Sequence, residues 1–311
     1  MNFRLSFLIV LLCNAPVNGL AKESPAGCAH QDKTMLQVLG SGGPIADDGR
    51  ASSGYLVWID GRSRFLIDTG GGIFLRFGEA GARFADINHI AISHFHTDHS
   101  TDLSALLKSG YFSNRKRKLT VSGPAAGGGY PGTDDFLKRL LDQENGVYAY
   151  LAGYLDGSAG LFKLEPIEVD PKRREASRVY TDSMTGIEID ALGVPHGPVP
   201  ALSYRVKIGE QSIVFAGDHN GSSDAFIEFA RGTDMLVMHM PVPEDISGVG
   251  RKLHAPPSVI GKIAAETGTG KLVLSHFMAR SLVNREENLE HIRSRFSGKL
   301  VSAVDLDCVG F

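Results

Sequence analysis

The chain has 311 residues, 42% of them hydrophobic, with 32 Lys and Arg against 35 Asp and Glu and a formal net charge of −3. That length suits one large α/β domain, and the charge balance argues against a surface built for nucleic acid. Its 37 glycines fit many tight strand-to-loop turns, and no repeat of solenoid length is present.

The first residues read as a secretory signal peptide over 1–21: Arg4, an apolar run from Leu5 to Leu12, then Pro16 and Gly19-Leu20-Ala21 before the cut. The run is too short to span a membrane, so no membrane partner is expected. Cys13 follows Leu12, where a lipid-anchor signal would want a small residue. The mature chain, 22–311, is read as one domain that is periplasmic or secreted, with 31 basic against 35 acidic residues. It keeps Cys28 and Cys308, which an oxidising compartment would allow to pair or leave free.

An opening β-meander is predicted at Thr34–Leu39, Gly54–Ile59 and Arg64–Ile67, and a further strand at Ile87–Ser93. A helix follows at Asp102–Gly110 and a strand at Leu119–Ser122, with the basic run Arg115-Lys116-Arg117-Lys118 between them read as a solvated turn. Residues 127–160 read as an insertion with helical pieces at Asp134–Asp142 and Val147–Leu155. It carries Tyr130, Tyr148, Tyr150 and Tyr154 and could wall a substrate pocket. Strands are expected at Leu161–Val169, Ile187–Leu192, Ala201–Ile208, Ser212–Ala216, Met235–Met238 and Leu300–Val304. Helices are expected at Ser222–Ala230, Pro257–Thr267 and Arg285–Phe296. Two sheets between helical layers fit this alternation.

The chemistry concentrates in His94-Phe95-His96-Thr97-Asp98-His99, directly after a strand. Imidazole and carboxylate together suit zinc and similar first-row metals. His94 and His96, two apart on extended backbone, point the same way and can grip one ion. Asp98 and His99, past the bend, can reach a second. One loop cannot close two sites, since each ion wants about four ligands. Three further candidates, His196, Asp218 and His276, each stand just after a β-like run. Singly, each reads more simply as a structural polar residue; four strands that all end in a ligand read as a site.

These residues carry a family resemblance. The chain resembles the metallo-β-lactamase fold hydrolases, in the branch that holds ribonuclease Z and bacterial arylsulfatase-like enzymes. The matching segments are Leu39-Gly40-Ser41-Gly42-Gly43-Pro44, Leu66-Ile67-Asp68-Thr69-Gly70, the histidine cluster and Ser122-Gly123-Pro124. They continue through Pro195-His196-Gly197-Pro198-Val199-Pro200, Ala216-Gly217-Asp218 and Leu274-Ser275-His276-Phe277. The resemblance implies an α/β fold of the metallo-β-lactamase αββα sandwich type. It implies two zinc ions per chain, one on His94, His96 and His196 and the other on Asp98, His99 and His276, with Asp218 bridging. Lactam-cleaving members usually carry cysteine or serine at the bridge. Asp68 is read as a turn-fixing residue behind the ligands, and His219 as a candidate pocket residue.

Two departures bear on function. Ribonuclease Z inserts its tRNA-gripping arm between the third-histidine motif and the bridging aspartate, but here only Gly197–Gly217 separates them. With the acidic balance, this leads to the expectation that nucleic acid is not a partner. Relatives also have a His-Glu-Ala-Thr segment where this chain has His239-Met240-Pro241-Val242, and a His-Ser-Thr-like one at His254-Ala255-Pro256. His254 is thus a candidate general acid without its usual carboxylate, for which Glu244 or Asp245 could substitute, and Asp98 a candidate proton acceptor. The expected function is an exported dinuclear-zinc hydrolase of small anionic esters, with a small-molecule aryl sulfate first and a phosphodiester close behind. A lactonase or β-lactamase and a catalytically silent metal-binding protein stay open, as does a homodimer.

Overall fold

Successive strand residues feed different hydrophobic clusters, and that alternation sets the layers. The computed structural model describes Cys28 and residues 34–311. The first half runs β1 (Met35–Gly40), β2 (Gly54–Ile59), β3 (Arg62–Ile67), α1 (Ile73–Glu79), β4 (His89–Ala91), α2 (Thr97–Ser100) and α3 (Leu103–Tyr111). It continues through β5 (Leu119–Pro124), α4 (Thr133–Leu141), α5 (Gly153–Asp156) and β6 (Leu164–Val169). The second half runs β7 (Ser177–Asp182), β8 (Ile187–His196), β9 (Val199–Ile208), β10 (Gln211–Phe215), α6 (Asp224–Ala230), β11 (Met235–His239) and α7 (Gly248–Leu253). It closes with α8 (Pro257–Thr267), β12 (Lys271–Ser275), α9 (Ala279–Leu282), α10 (Arg285–Arg293), β13 (Lys299–Ser302) and β14 (Asp307–Gly310).

The strands form two seven-stranded sheets, ordered β14-β1-β2-β3-β4-β5-β6 and β13-β12-β11-β10-β9-β8-β7. Tyr55, Val57, Phe65 and Ile67 of the first meet Tyr204, Val206, Ile213, Phe215 and Val237 of the second in the central core. Their neighbours point the other way. Leu56, Trp58 and Leu66 pack with Leu103, Leu106 and Leu107 of α3, and Val214, Leu236 and Leu272 pack with Phe226, Ile260 and Ile263 of α6 and α8. The outcome is the expected αββα sandwich. Burying both faces is why β10, β11 and β12, paired in parallel, read as continuous apolar runs.

Several local expectations are corrected. Helices α1, α2, α7 and α9 and strands β7 and β14 are additional to those predicted. The Val147–Leu155 helix is two short turns, Ala149–Leu151 and Gly153–Asp156. The run at 115–118 is not a solvated turn throughout: Arg115 is buried and donates to the Ile87, Arg117 and Lys118 carbonyls. Residues 115–118 run straight into β5, so the buried guanidinium takes up carbonyls that no strand partner reaches. Among the described residues, no helix is long and apolar enough to cross a membrane. The signal-peptide reading falls on residues outside those described.

Cys28 and Cys308 form a disulfide across a sequence separation of 280, with Cα atoms 5.7 Å apart. Cys308 lies on β14, which pairs with β1, so the bond ties the chain's two ends at one sheet edge. A link over so long a loop restricts the unfolded chain strongly. Its reduction, or Cys308→Ser, is expected to lower the unfolding free energy by about 3–5 kcal/mol. Urea unfolding with and without reductant measures this, and coincident curves would show that the bond carries no stability.

Candidate metal centre

The sequence-predicted ligands come from four strand ends, and from the short helix that follows one of them, on the same edge of the sandwich. His94 follows β4, His196 ends β8, Asp218 follows β10, and His276 follows β12. Between β4 and α2 the chain turns sharply, so that His96 is the residue before α2 while Asp98 and His99 lie in its only turn. Glycine is required beside Asp218: Gly217 has φ 63°, and a Cβ there would sit 2.7 Å from the Leu202 carbonyl oxygen. His276 adopts a left-handed φ of 55° without being glycine, a strained backbone held where the Phe277 N–H donates to the Ser41 carbonyl at 2.8 Å.

Asp218 is the hub. Its carboxylate oxygens lie 3.9 Å from His94 Nε2, 3.6 Å from His196 Nε2, 3.7 Å from His99 Nε2 and 3.5 Å from His276 Nε2. His94 Nε2 and His96 Nδ1 face each other at 3.0 Å, and His99 Nε2 and His276 Nε2 at 3.1 Å. Asp98 Oδ2 stands 3.1 Å from His276 Nε2 and 3.5 Å from His99 Nε2. The ligand-type atoms therefore fall into two groups that share Asp218: His94, His96 and His196 on one side, His99 and His276 on the other.

The partners of the outer ring nitrogens decide which way the lone pairs point. His196 Nδ1 donates to the Leu253 carbonyl at 3.0 Å, so its Nε2 bears a lone pair, buried and without a partner. His99 Nδ1 donates to Asp68 Oδ2 at 2.8 Å, and His96 Nε2 is hydrogen-bonded to the Tyr130 hydroxyl at 3.0 Å. Ser93 Oγ gives its proton to Asp68 Oδ2 and so accepts from His94 Nδ1 at 3.1 Å. The Nε2 lone pairs of His94 and His196 thus aim inward, and the 3.0 Å between His94 Nε2 and His96 Nδ1 is close to the roughly 3.3 Å that nitrogens about 2.0 Å from one tetrahedral ion would show. Facing lone pairs in a buried space call for a cation, and the residues present fit one.

His239, at the end of β11, also lies in the second group, but its chemistry differs. Its Nδ1 donates to Asp218 Oδ1 at 2.6 Å and its Nε2 accepts from the Tyr55 hydroxyl at 2.8 Å. Both nitrogens are committed, so His239 holds Asp218 rather than an ion. The sequence reading met His239 only as part of a motif. Its place at a strand end, like the ligands', was the signal for a closer role.

The site opens into a cleft of about 560 Å³ lined by His96, Asp98, Tyr130, His196, His254 and Arg280, among others. His254 overhangs it with Nδ1 3.9 Å from Asp218 Oδ2. Neither substitute carboxylate reaches it. Glu244 instead accepts from the Ser258 N–H at 2.8 Å and the Ser258 hydroxyl at 2.5 Å. His219 turns away, its ring 4.5 Å from that of Phe226. Asp68 accepts from the Ser93 N–H at 2.7 Å and from His99, which makes it a brace behind the ligands. A larger cleft of about 660 Å³ lies beside the Gly197-Pro198 turn and reaches only His196 of the inward-facing set.

Residues 63–277 match the Beta-lactamase superfamily domain. The chain is 28% identical over 288 residues to a ribonuclease Z of Mycolicibacterium paratuberculosis, covering 88% of this chain and 97% of the relative. The metallo-beta-lactamase fold protein YhfI from Bacillus subtilis aligns with TM-score 0.66 at 22% identity, over 89% of this chain and 99% of that one. Human tRNase Z, short form, aligns with TM-score 0.68 at 18% identity, over 89% and 98%. These findings overturn the expectation that nucleic acid is not a partner. That expectation rested on a whole-chain charge and one missing arm. The segment from His196 to Asp218 is indeed filled by β9 and β10. Yet the relative matched across nearly its whole length is itself a ribonuclease, and net charge averages over a surface while recognition is local.

The electrostatics predict how the metal-free chain responds to acid. Burial lowers the pKa of His94, His96 and His254, the last to about 4; it also lowers those of His89, His219 and His239, the first and last to about 3. Among the histidines of the described residues only His99 and His276 are raised, because neighbouring carboxylates, Asp68, Asp98 and Asp218 for His99 and Asp218 and Asp98 for His276, outweigh burial. A raised histidine stabilises below about pH 6.5, whereas a lowered one costs stability there, since the unfolded chain takes the proton first. Six against two leaves the unfolded chain binding more protons. Stability of the metal-free protein is therefore expected to fall from pH 7 to pH 5, by about 1.4 kcal/mol per pH unit for each net proton. Urea unfolding in chelator at several pH values measures it, and a flat or opposite slope would contradict this assignment.

Proposed function

We propose that this chain, which belongs to the beta-lactamase superfamily, is a phosphodiester hydrolase that works with two zinc ions. The observation that carries the reading is the pair of inward-facing donor groups sharing Asp218. His94, His96 and His196 would hold one ion and Asp98, His99 and His276 the other, with Asp218 between. Such ions supply Lewis acidity toward phosphoryl oxygens and a nucleophilic water near neutral pH. Ribonuclease Z relatives support phosphoric over sulfuric esters and make RNA the first polymeric substrate to test.

The chain's own groups have separable tasks. Arg280 is the one guanidinium lining the cleft; its Nε donates to the Pro241 carbonyl at 2.8 Å, and among the described residues its terminal nitrogens have no partner. They would take the non-reacting phosphoryl oxygens. Asp98 stands at the cleft to receive the proton of the attacking water. Burial raises its carboxyl, but His99 and His276 outweigh this and hold it ionised. His254 would deliver a proton to the departing oxygen. At about 4 it is largely neutral at pH 7, so an arriving anion that raises it is part of the mechanism. The disulfide, together with the apolar run Leu5–Leu12 and the small-residue segment Gly19-Leu20-Ala21 after it, supports an exported, periplasmic or secreted protein.

Zinc-loaded protein is expected to cleave bis-p-nitrophenyl phosphate and a short RNA faster than p-nitrophenyl sulfate or nitrocefin. Asp218→Ala should lower zinc content at both sites and bring activity to background. Preference for the sulfate or for nitrocefin, or well under one ion per chain after zinc is supplied, would refute the reading. His254→Ala should keep its zinc and lose about 10²–10³-fold on unactivated phenyl or alkyl diesters, but much less on p-nitrophenyl esters. Equal losses across a leaving-group series would remove His254 as the acid.

A further inference from the structure

The segment before α4 contains Gly127-Gly128-Gly129-Tyr130, closed by two reciprocal hydrogen bonds. The Tyr130 N–H donates to the Gly127 carbonyl at 2.8 Å, and the Gly127 N–H to the Tyr130 carbonyl at 3.2 Å. Gly128 and Gly129 have φ of 56° and 85°, the paired left-handed conformation of a type I′ turn, which side chains other than glycine adopt poorly. This turn touches two members of one donor group. Its tyrosine hydroxyl is hydrogen-bonded to His96 Nε2 at 3.0 Å. Its backbone lies so close to the Gly197-Pro198 turn, directly after His196, that a Cβ on Gly128 would sit 1.9 Å from the Pro198 carbonyl oxygen. His99, by contrast, is held from behind by Asp68, on a different loop.

We infer that the Gly127–Tyr130 turn is a brace for one ion of the pair, the one facing His94, His96 and His196. Tyr130 is a positioning residue. By accepting the Nε2 proton it fixes the His96 tautomer that leaves Nδ1 free to bind, and it stops the half-buried ring from turning toward solvent. The backbone contact fixes the turn that carries His196. Losing an outer partner of this kind typically weakens metal binding by 10–100-fold. The other ion has its own brace and should not feel the loss, so the two sites should become unequal.

This inference rests on the dinuclear reading, but its test needs no substrate. Zinc-loaded wild type, Tyr130→Phe and Gly128→Ala are titrated with a chelator, and the zinc that remains is counted by elemental analysis. Tyr150→Phe, an exposed tyrosine of the same insertion, serves as control. Tyr130→Phe and Gly128→Ala are expected to lose one equivalent at about tenfold lower chelator activity while the second leaves as in wild type. The control should match wild type. Unchanged release, or both equivalents shifting together, overturns the brace. If wild type holds a single ion, the dinuclear reading fails separately; the tenfold shift is then read on that ion, and its absence overturns the brace.

Discussion

The structure turns on a buried set of imidazole lone pairs that the protein cannot satisfy by itself. His94, His96, His99 and His196 each spend their outer nitrogen on a neighbour, which commits the inner one to face the others around Asp218. A buried acceptor without a donor costs on the order of 1–3 kcal/mol, and several converging acceptors compound it. A shared cation would relieve them together. The fold therefore stores unfavourable polar contacts at one edge and offsets them with three apolar layers elsewhere.

The layers make that edge possible. Parallel β10, β11 and β12 send three chain segments out at the same end, and each turns over at once into Asp218, His239 or His276. The β8–β9 hairpin of the same sheet and the β4–α2 turn of the other sheet reach the same edge. No single element holds the site. The contacts behind it set its geometry: Asp68 fixes His99, the Leu253 carbonyl fixes His196, and the Tyr55–His239 pair fixes Asp218.

Much of this was legible in the chain. Four strands of the second sheet, β8, β10, β11 and β12, have histidine or aspartate at or just past their ends, so their existence and the edge they share follow from pattern and spacing. What pattern missed was short or irregular. β7 is largely polar because it closes a sheet edge, and β14 is only four residues held by pairing to β1. Arg115 read as surface because it stands among other basic residues, yet it is drawn inward by carbonyls that no strand partner reaches. The substitute carboxylates for His254 failed for a similar reason: Glu244 is three residues past Pro241 in sequence, but it is claimed by the start of α8.

The sequence by itself determined the sandwich, the metal-type chemistry and the residues that stand at the strand ends, because side-chain period and residue type are local properties that survive without coordinates. Only the tertiary structure decided that His239 supports the Asp218 carboxylate through both of its nitrogens, and that Tyr130 stands behind His96. It also decided that Cys28 and Cys308 meet, across a separation of 280 residues. Each of these depends on which side of a ring faces which neighbour across two sheets. Distances of 3 Å between residues a hundred or more positions apart are set by the packing of whole layers, and no window of sequence contains them.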